Sequence, residues 1–172
     1  MNVGFIGTGS MGSVLIEAML KAQAVQPADV IAVNRTRSKA EQLARRHPGL
    51  RVADGIAEVA QASDVIFICV KPLEFRHVLP ELKRAVAPEQ IAVSITSPVR
   101  IALLEEQLPC KVAKVIPSIT NYALSGAVLC MYGSRMTEDD RSRLTGLLNR
   151  IGAAVVIDEA HTRAASDLSS CG

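Results

Sequence analysis

The chain has 172 residues, enough for one substantial core, and its hydrophobic fraction of 49% can fill that core. Nineteen lysines and arginines against 17 aspartates and glutamates leave a formal charge of +2 with no long block of one sign, and aromatics are only 3% with no tryptophan. This argues against a basic nucleic-acid tail and against stacking platforms for single strands, and the glycine-broken apolar start, with no basic stretch ahead of it, argues against a membrane partner or export and for a cytoplasmic protein.

Val3 to Ile6 predicts a short strand, and beyond three glycines the residues Val14, Leu15, Ala18, Met19 and Ala22 recur at helical spacing. Pro27 punctuates the end of that helix, Asp29 to Val33 predicts a second buried strand, and Ser38 to Arg46 a second helix stopped by His47-Pro48-Gly49. Arg51 to Ala53 then predicts a short strand, Ile56 to Ala62 a helix, and Val65 to Val70 a wholly apolar strand of the kind covered on both faces. The amphipathic stretch LEFRHVLPELKRAV follows, then the strand IAVSI, a helix through Leu103 and Leu104, and a strand from Lys111 to Ile116. Strands over Gly126 to Tyr132 and Ala154 to Ile157 flank a helix from Thr137 to Ile151, in which Thr137 serves as N-cap and EDD supplies an acidic first turn. The alternation predicts an α/β fold: a Rossmann-like, doubly wound, mostly parallel sheet with helices on both faces. The last stretch, HTRAASDLSSCG, reads as the start of a helix with no core to join, either a frayed tail or the opening of a further domain.

Gly7-Thr8-Gly9-Ser10-Met11-Gly12 carries the spacing GxGxxG between the first strand and the first helix. The first glycine permits the tight turn, the second lets the backbone approach a pyrophosphate, and the third brings the helix close to the strand. Amide hydrogens and the positive end of the helix dipole would then hold the phosphates. At the end of the second strand, where an NAD enzyme usually carries a carboxylate for the ribose hydroxyl, this chain has Asn34, Arg35 and Thr36, with Arg37 and Lys39 behind. Positive charge and hydroxyl donors suit a 2′-phosphate, so the expected cofactor is NADP(H) in preference to NAD(H).

The segments GFIGTGSMG, the NRT loop and DVIFICVKP, followed by SITSP, KVAKVIPSITN and ASDLSSCG, resemble the pyrroline-5-carboxylate reductase family, and within it the late competence (ComER) branch. The resemblance runs over essentially the whole chain. It implies an N-terminal dinucleotide-binding domain, here residues 1–157, and a C-terminal helical dimerisation domain of which residues 158–172 would be a truncated start. It also implies that Cys69, Val70, Lys71 and Pro72, and Ile95, Thr96 and Ser97 after the next strand, line the cofactor. Further implications are reduction of a small cyclic imine in proline biosynthesis, homo-oligomerisation of the full-length protein, and little turnover by this fragment alone. Two places depart from the family: Ile116-Pro117-Ser118-Ile119-Thr120 stands where Met-Pro-Asn-Thr-Pro is common, and Ile56 stands where an asparagine near the adenine pocket is common, which implies that the adenosine end is held differently or less tightly.

No side chain presents itself as a catalytic acid or base. His47, His77 and His161 read as structural or exposed, and the cysteines at 69, 110, 130 and 171 lack metal-ligand spacing, so no metal is expected. Pro72 reads as the start of the next helix, and Thr96-Ser97-Pro98 doubles as an N-cap for a helix beginning near Val99. Two rival readings stand beside the reductase: a regulatory protein that keeps the dinucleotide pocket without catalysis, and a β-hydroxy acid dehydrogenase, which shares the GFIGxGxMG opening.

Overall fold

The computed structural model describes residues 1–171. Gly172 and the side chains of Ser170 and Cys171, the end of the serine-rich segment, lie outside the described residues. Strands β1 (Val3–Ile6), β2 (Val30–Val33), β3 (Arg51–Val52), β4 (Val65–Ile68), β5 (Ile91–Ser94), β6 (Lys111–Ile116), β7 (Ala127–Tyr132) and β8 (Ala153–Val156) form one sheet in the order β3-β2-β1-β4-β5-β6-β7-β8. Every neighbouring pair is parallel except β6 with β7.

The helices are α1 (Ser10–Lys21), α2 (Arg37–Arg46), α3 (Ile56–Gln61), α4 (Phe75–Ala85), α5 (Ile101–Gln107), α6 (Glu138–Leu148) and α7 (Thr162–Ser166). Because successive side chains of a strand face opposite ways, each apolar strand feeds two cores at once. Val65 and Phe67 pack with Leu15, Met19, Leu43 and Leu147, so α1, α2 and α6 cover one face. Ile66 and Ile68 pack with Val59, Leu82 and Leu104, so α3, α4 and α5 cover the other. Phe5 stacks on Phe67 across β1 and β4, centroids 5.2 Å apart. Arg46 at the end of α2 pairs with Glu17 of α1 at 2.5 Å.

The expected α/β architecture is therefore the observed one, with shifts at element ends. Thr137 does cap α6, accepting the Asp140 amide while the Asp140 carboxylate accepts the Thr137 amide and hydroxyl. Thr96 does not cap α5, which begins at Ile101 with Arg100 at its N-cap. Its hydroxyl donates instead to the Val70 carbonyl at 3.0 Å, tying the end of β5 to the end of β4. Among the described residues no helix is long and apolar enough to cross a membrane, and no group of three or more histidine, cysteine or acidic side chains could hold a metal.

Candidate functional site

Strand order reverses around β1, which pairs with β2 on one side and β4 on the other. The chain leaves β1 over one face through α1 and reaches β4 over the other through α3, so a crevice opens beyond the carboxyl ends of these strands. The glycine loop sits at its floor. Gly7 has φ +101°, where a side chain is strained, and a Cβ there would also collide with the Cys69 carbonyl. A Cβ on Gly12, inside α1, would collide with the Gly7 carbonyl, so this glycine sets how closely helix and strand approach.

Gly9 differs from both. It is the N-cap of α1, has an ordinary φ of −70°, and a Cβ built on it would meet nothing within 4 Å. Neither local strain nor packing explains a glycine at this position. Glycine is among the residues accepted at an N-cap, and the helix end it caps has neither a side-chain cap nor an acidic residue in its first turn, leaving its amides open toward the cleft. Thr8 is 3% exposed, and its hydroxyl oxygen has no hydrogen-bond partner among the described residues.

The cleft of about 540 Å³ above this loop gathers Gly7, Gly9, Asn34, Arg35, Thr36, Cys69, Val70 and Lys71 from the expected set. Ser10, Met11 and Gly12 lie in the first turn of α1, and Pro72 opens the 3-10 turn Pro72–Glu74 that leads into α4. Ile95, Thr96 and Ser97 do not line this cleft and lie one strand further along, joined to it by the bond from Thr96 to Val70. Asn34 fastens the loop to β2: its side-chain oxygen accepts the Thr8 amide at 2.9 Å, and its amide nitrogen donates to the Thr36 carbonyl at 2.9 Å.

Apart from Ile56, the far wall consists of residues that the sequence did not single out for this role. Asp54 and Gly55 come from the turn before α3 and Ile56, the position expected near the adenine pocket, from its first residue, while Glu81 and His77, exposed as expected, come from α4. The positive rim is already partnered in part. Arg35 reaches both carboxylate oxygens of Glu74 at 3.2 Å, and Arg37 bonds Asp54 at 2.6 Å and Glu41 at 2.9 Å. The Asp54 and then Glu41 bonds hold the Arg37 guanidinium above its usual range. Lys39 and Lys71 line the same cleft. Burial pushes the Cys69 thiol far up, so it lines the cleft as a neutral group.

Residues 2–98, the span that contains the glycine loop and this cleft, match the profile of the family described as NADP oxidoreductase, coenzyme F420-dependent. The chain belongs to that family. Among its relatives, this oxidoreductase-family chain is 39% identical over 172 residues to ComE operon protein 4 of Bacillus subtilis and 29% identical to the pyrroline-5-carboxylate reductase of Methanosarcina acetivorans, the alignments covering 100% and 99% of this chain. The resemblance carried by its motifs thus extends over the whole chain. Its fold matches a crystal structure of Plasmodium falciparum pyrroline carboxylate reductase with NADP bound, at a TM-score of 0.88 and 22% identity over 100% of this chain. The chain spans 63% of the length of each of these three proteins.

Proposed function

We propose that this chain is the NADP(H)-binding domain of an oxidoreductase that transfers hydride to a small cyclic imine such as pyrroline-5-carboxylate, the reaction named for its reductase relatives. The observation that carries the reading is Gly9: a glycine with open space before its Cβ position, capping a helix end that has no side-chain cap, in the crevice where the sheet reverses. The cofactor fits the groups around it. Amides of the loop from Gly7 to Gly12 would take the pyrophosphate, Asn34, Arg35 and Thr36 the adenosine ribose and its 2′-phosphate, and Cys69, Val70, Lys71 and Pro72 the middle of the molecule. Ile95, Thr96 and Ser97 would border the nicotinamide end. NADPH supplies the hydride when bound; the chain's own residues bind and orient it. No acid or base is assigned among them, and a C-terminal helical domain of which residues 158–172 would be the start would complete the substrate site and the homo-oligomer contact.

Titration with NADPH tests the binding step. Saturable enhancement of its fluorescence, with a raised melting temperature, is expected, and an unchanged melting temperature at millimolar NADPH would overturn the reading.

A second reading, a regulatory protein that binds the dinucleotide without turnover, draws support from the segment after β6. Ser118 is buried and spends its hydroxyl on its own turn, accepting from the Thr120 amide and hydroxyl, while its neighbour Ile119 is 74% exposed. This segment therefore offers an apolar side chain where a polar pair is common. NADPH oxidation by the full-length protein with pyrroline-5-carboxylate separates the two readings: turnover supports the reductase, and tight binding without turnover supports the regulator.

A further inference from the structure

Lys114 is the one lysine buried in the strands of this sheet to 1% exposure, and neither the glycine loop nor the cleft wall makes use of it. It lies on β6, and its ammonium donates to two groups: the Ser97 carbonyl at 3.0 Å and the carboxylate of Glu159, with which it forms a close ion pair. Glu159 belongs to the segment after β8, and its same oxygen accepts the Ile101 amide at 2.9 Å. The pair therefore joins three pieces of chain that are distant in sequence: the connection from β5 into α5, which carries both Ser97 and Ile101, β6 itself and the segment leaving the sheet. Burial would by itself raise the Glu159 carboxyl, but its bonds to Lys114 and Ile101 outweigh that and hold it below the usual range.

A charge removed from water so completely is costly unless it is well paired, and replacing such a pair by apolar groups is often neutral or stabilising, so stability alone is a poor reason for it. Position offers a better one. The ribose bearing the 2′ group lies at the end of the second strand of such a fold, so the opposite half of a dinucleotide crosses the sheet reversal toward β4 and β5. The Ser97 turn is the backbone at that end. It is held from below by Lys114 and from the side by the Thr96 hydroxyl on Val70.

We propose that Lys114, braced by Glu159, is a positioning residue that fixes the turn Thr96–Ser97 against the nicotinamide half of the bound cofactor. The proposal rests on the dinucleotide-binding reading. It predicts a selective defect, because the adenosine half is held by β2 and the glycine loop, which Lys114 does not touch.

Two ligands separate the halves: NADPH, and adenosine 2′,5′-bisphosphate, which carries only the 2′-phosphorylated adenosine end. In the 172-residue chain, Lys114→Met is expected to weaken NADPH binding about tenfold, the scale of one charge-assisted hydrogen bond, while the bisphosphate binds as in the wild type. Lys114→Arg, which keeps charge and donors, should restore NADPH binding to within about threefold. Glu159 is partly exposed, so Glu159→Gln provides a variant less exposed to folding failure, and it should show the same selective loss at smaller size. Equal weakening of both ligands, or no change in either, overturns the proposal. A wild type that binds neither ligand overturns the dinucleotide reading instead.

Discussion

Asn34 and Thr8 are joined by a single hydrogen bond of 2.9 Å, from the Thr8 amide to the Asn34 side-chain oxygen, and it fastens the glycine loop to the end of β2. The same side chain donates onward to Thr36, so one residue shapes both the pyrophosphate end and the ribose end of the cleft. Asn34→Ala is expected to lower NADPH affinity roughly tenfold and to cost about 1 kcal/mol of stability. Asn34→Asp keeps the acceptor for Thr8, repels a 2′-phosphate and can accept from a ribose hydroxyl. It should therefore lower the ratio of NADPH to NADH affinity, read by fluorescence titration with each. An unchanged ratio would show that Asn34 does not face the ribose.

Gly9 and Gly12 separate binding from folding. A methyl at Gly9 enters open space at an ordinary φ, and alanine is a somewhat poorer N-cap than glycine, so Gly9→Ala should cost less than about 1 kcal/mol and lower the melting temperature by only a few degrees. It should nevertheless weaken NADPH binding by tenfold or more, since the methyl occupies the phosphate's approach. Gly12→Ala drives a methyl into the Gly7 carbonyl and is expected to cost about 1–3 kcal/mol through overpacking. Paired thermal melts and NADPH titrations of the two variants check both outcomes; a loss of stability in Gly9→Ala as large as that in Gly12→Ala would sink the distinction.

The elements most legible in the sequence were those whose pattern is local. VIFICV lacks alternation because both faces of β4 are covered, TEDD carries its own cap, and GxGxxG sits where strand meets helix. Strand direction is not written in an apolar run, so nothing in GAVLCMY announced that β7 would lie antiparallel to β6. The far wall of the cleft was also hidden. Ile56 was legible only through the family resemblance, and Asp54, His77 and Glu81 stand in ordinary turn and helix positions and meet the NRT loop only once α3 and α4 have packed. Lys114 was hidden for a related reason: in KVAKVI it reads as a polar edge position, and its partners Ser97 and Glu159 lie 17 and 45 residues away.

Arg35 is turned toward Glu74, and a 2′-phosphate must compete with that carboxylate for the guanidinium. The Arg35 side chain is 84% exposed, so the pair is weak and readily exchanged. Glu74→Gln releases Arg35 and removes a negative charge from the rim. NADPH affinity should rise roughly two- to fivefold, NADH affinity should change less, and the gain should shrink as salt is raised. Titrations of both nucleotides at low and high ionic strength test this; equal gains for both would place the effect elsewhere than at the 2′-phosphate.

Asp140 binds Lys111 at 2.7 Å and accepts from the amide and hydroxyl of Thr137, all at the start of α6. Burial alone would raise its carboxyl, but the bonds to Lys111 and Thr137 outweigh burial and lower it below the usual range. A carboxyl held lower in the folded state than in the unfolded chain stabilises the fold above its unfolded value of about 4, and that contribution is lost as pH falls through the lower folded value. Asp140→Asn is therefore expected to cost about 1–2 kcal/mol at pH 7, through the lost charge-assisted bonds and the weakened cap. The difference between wild type and variant should be constant from pH 7 to about pH 5 and should narrow below pH 4. Urea unfolding across that range measures it, and a gap that stayed constant into strong acid would show that the Asp140 carboxylate is not what ties α6 to β6.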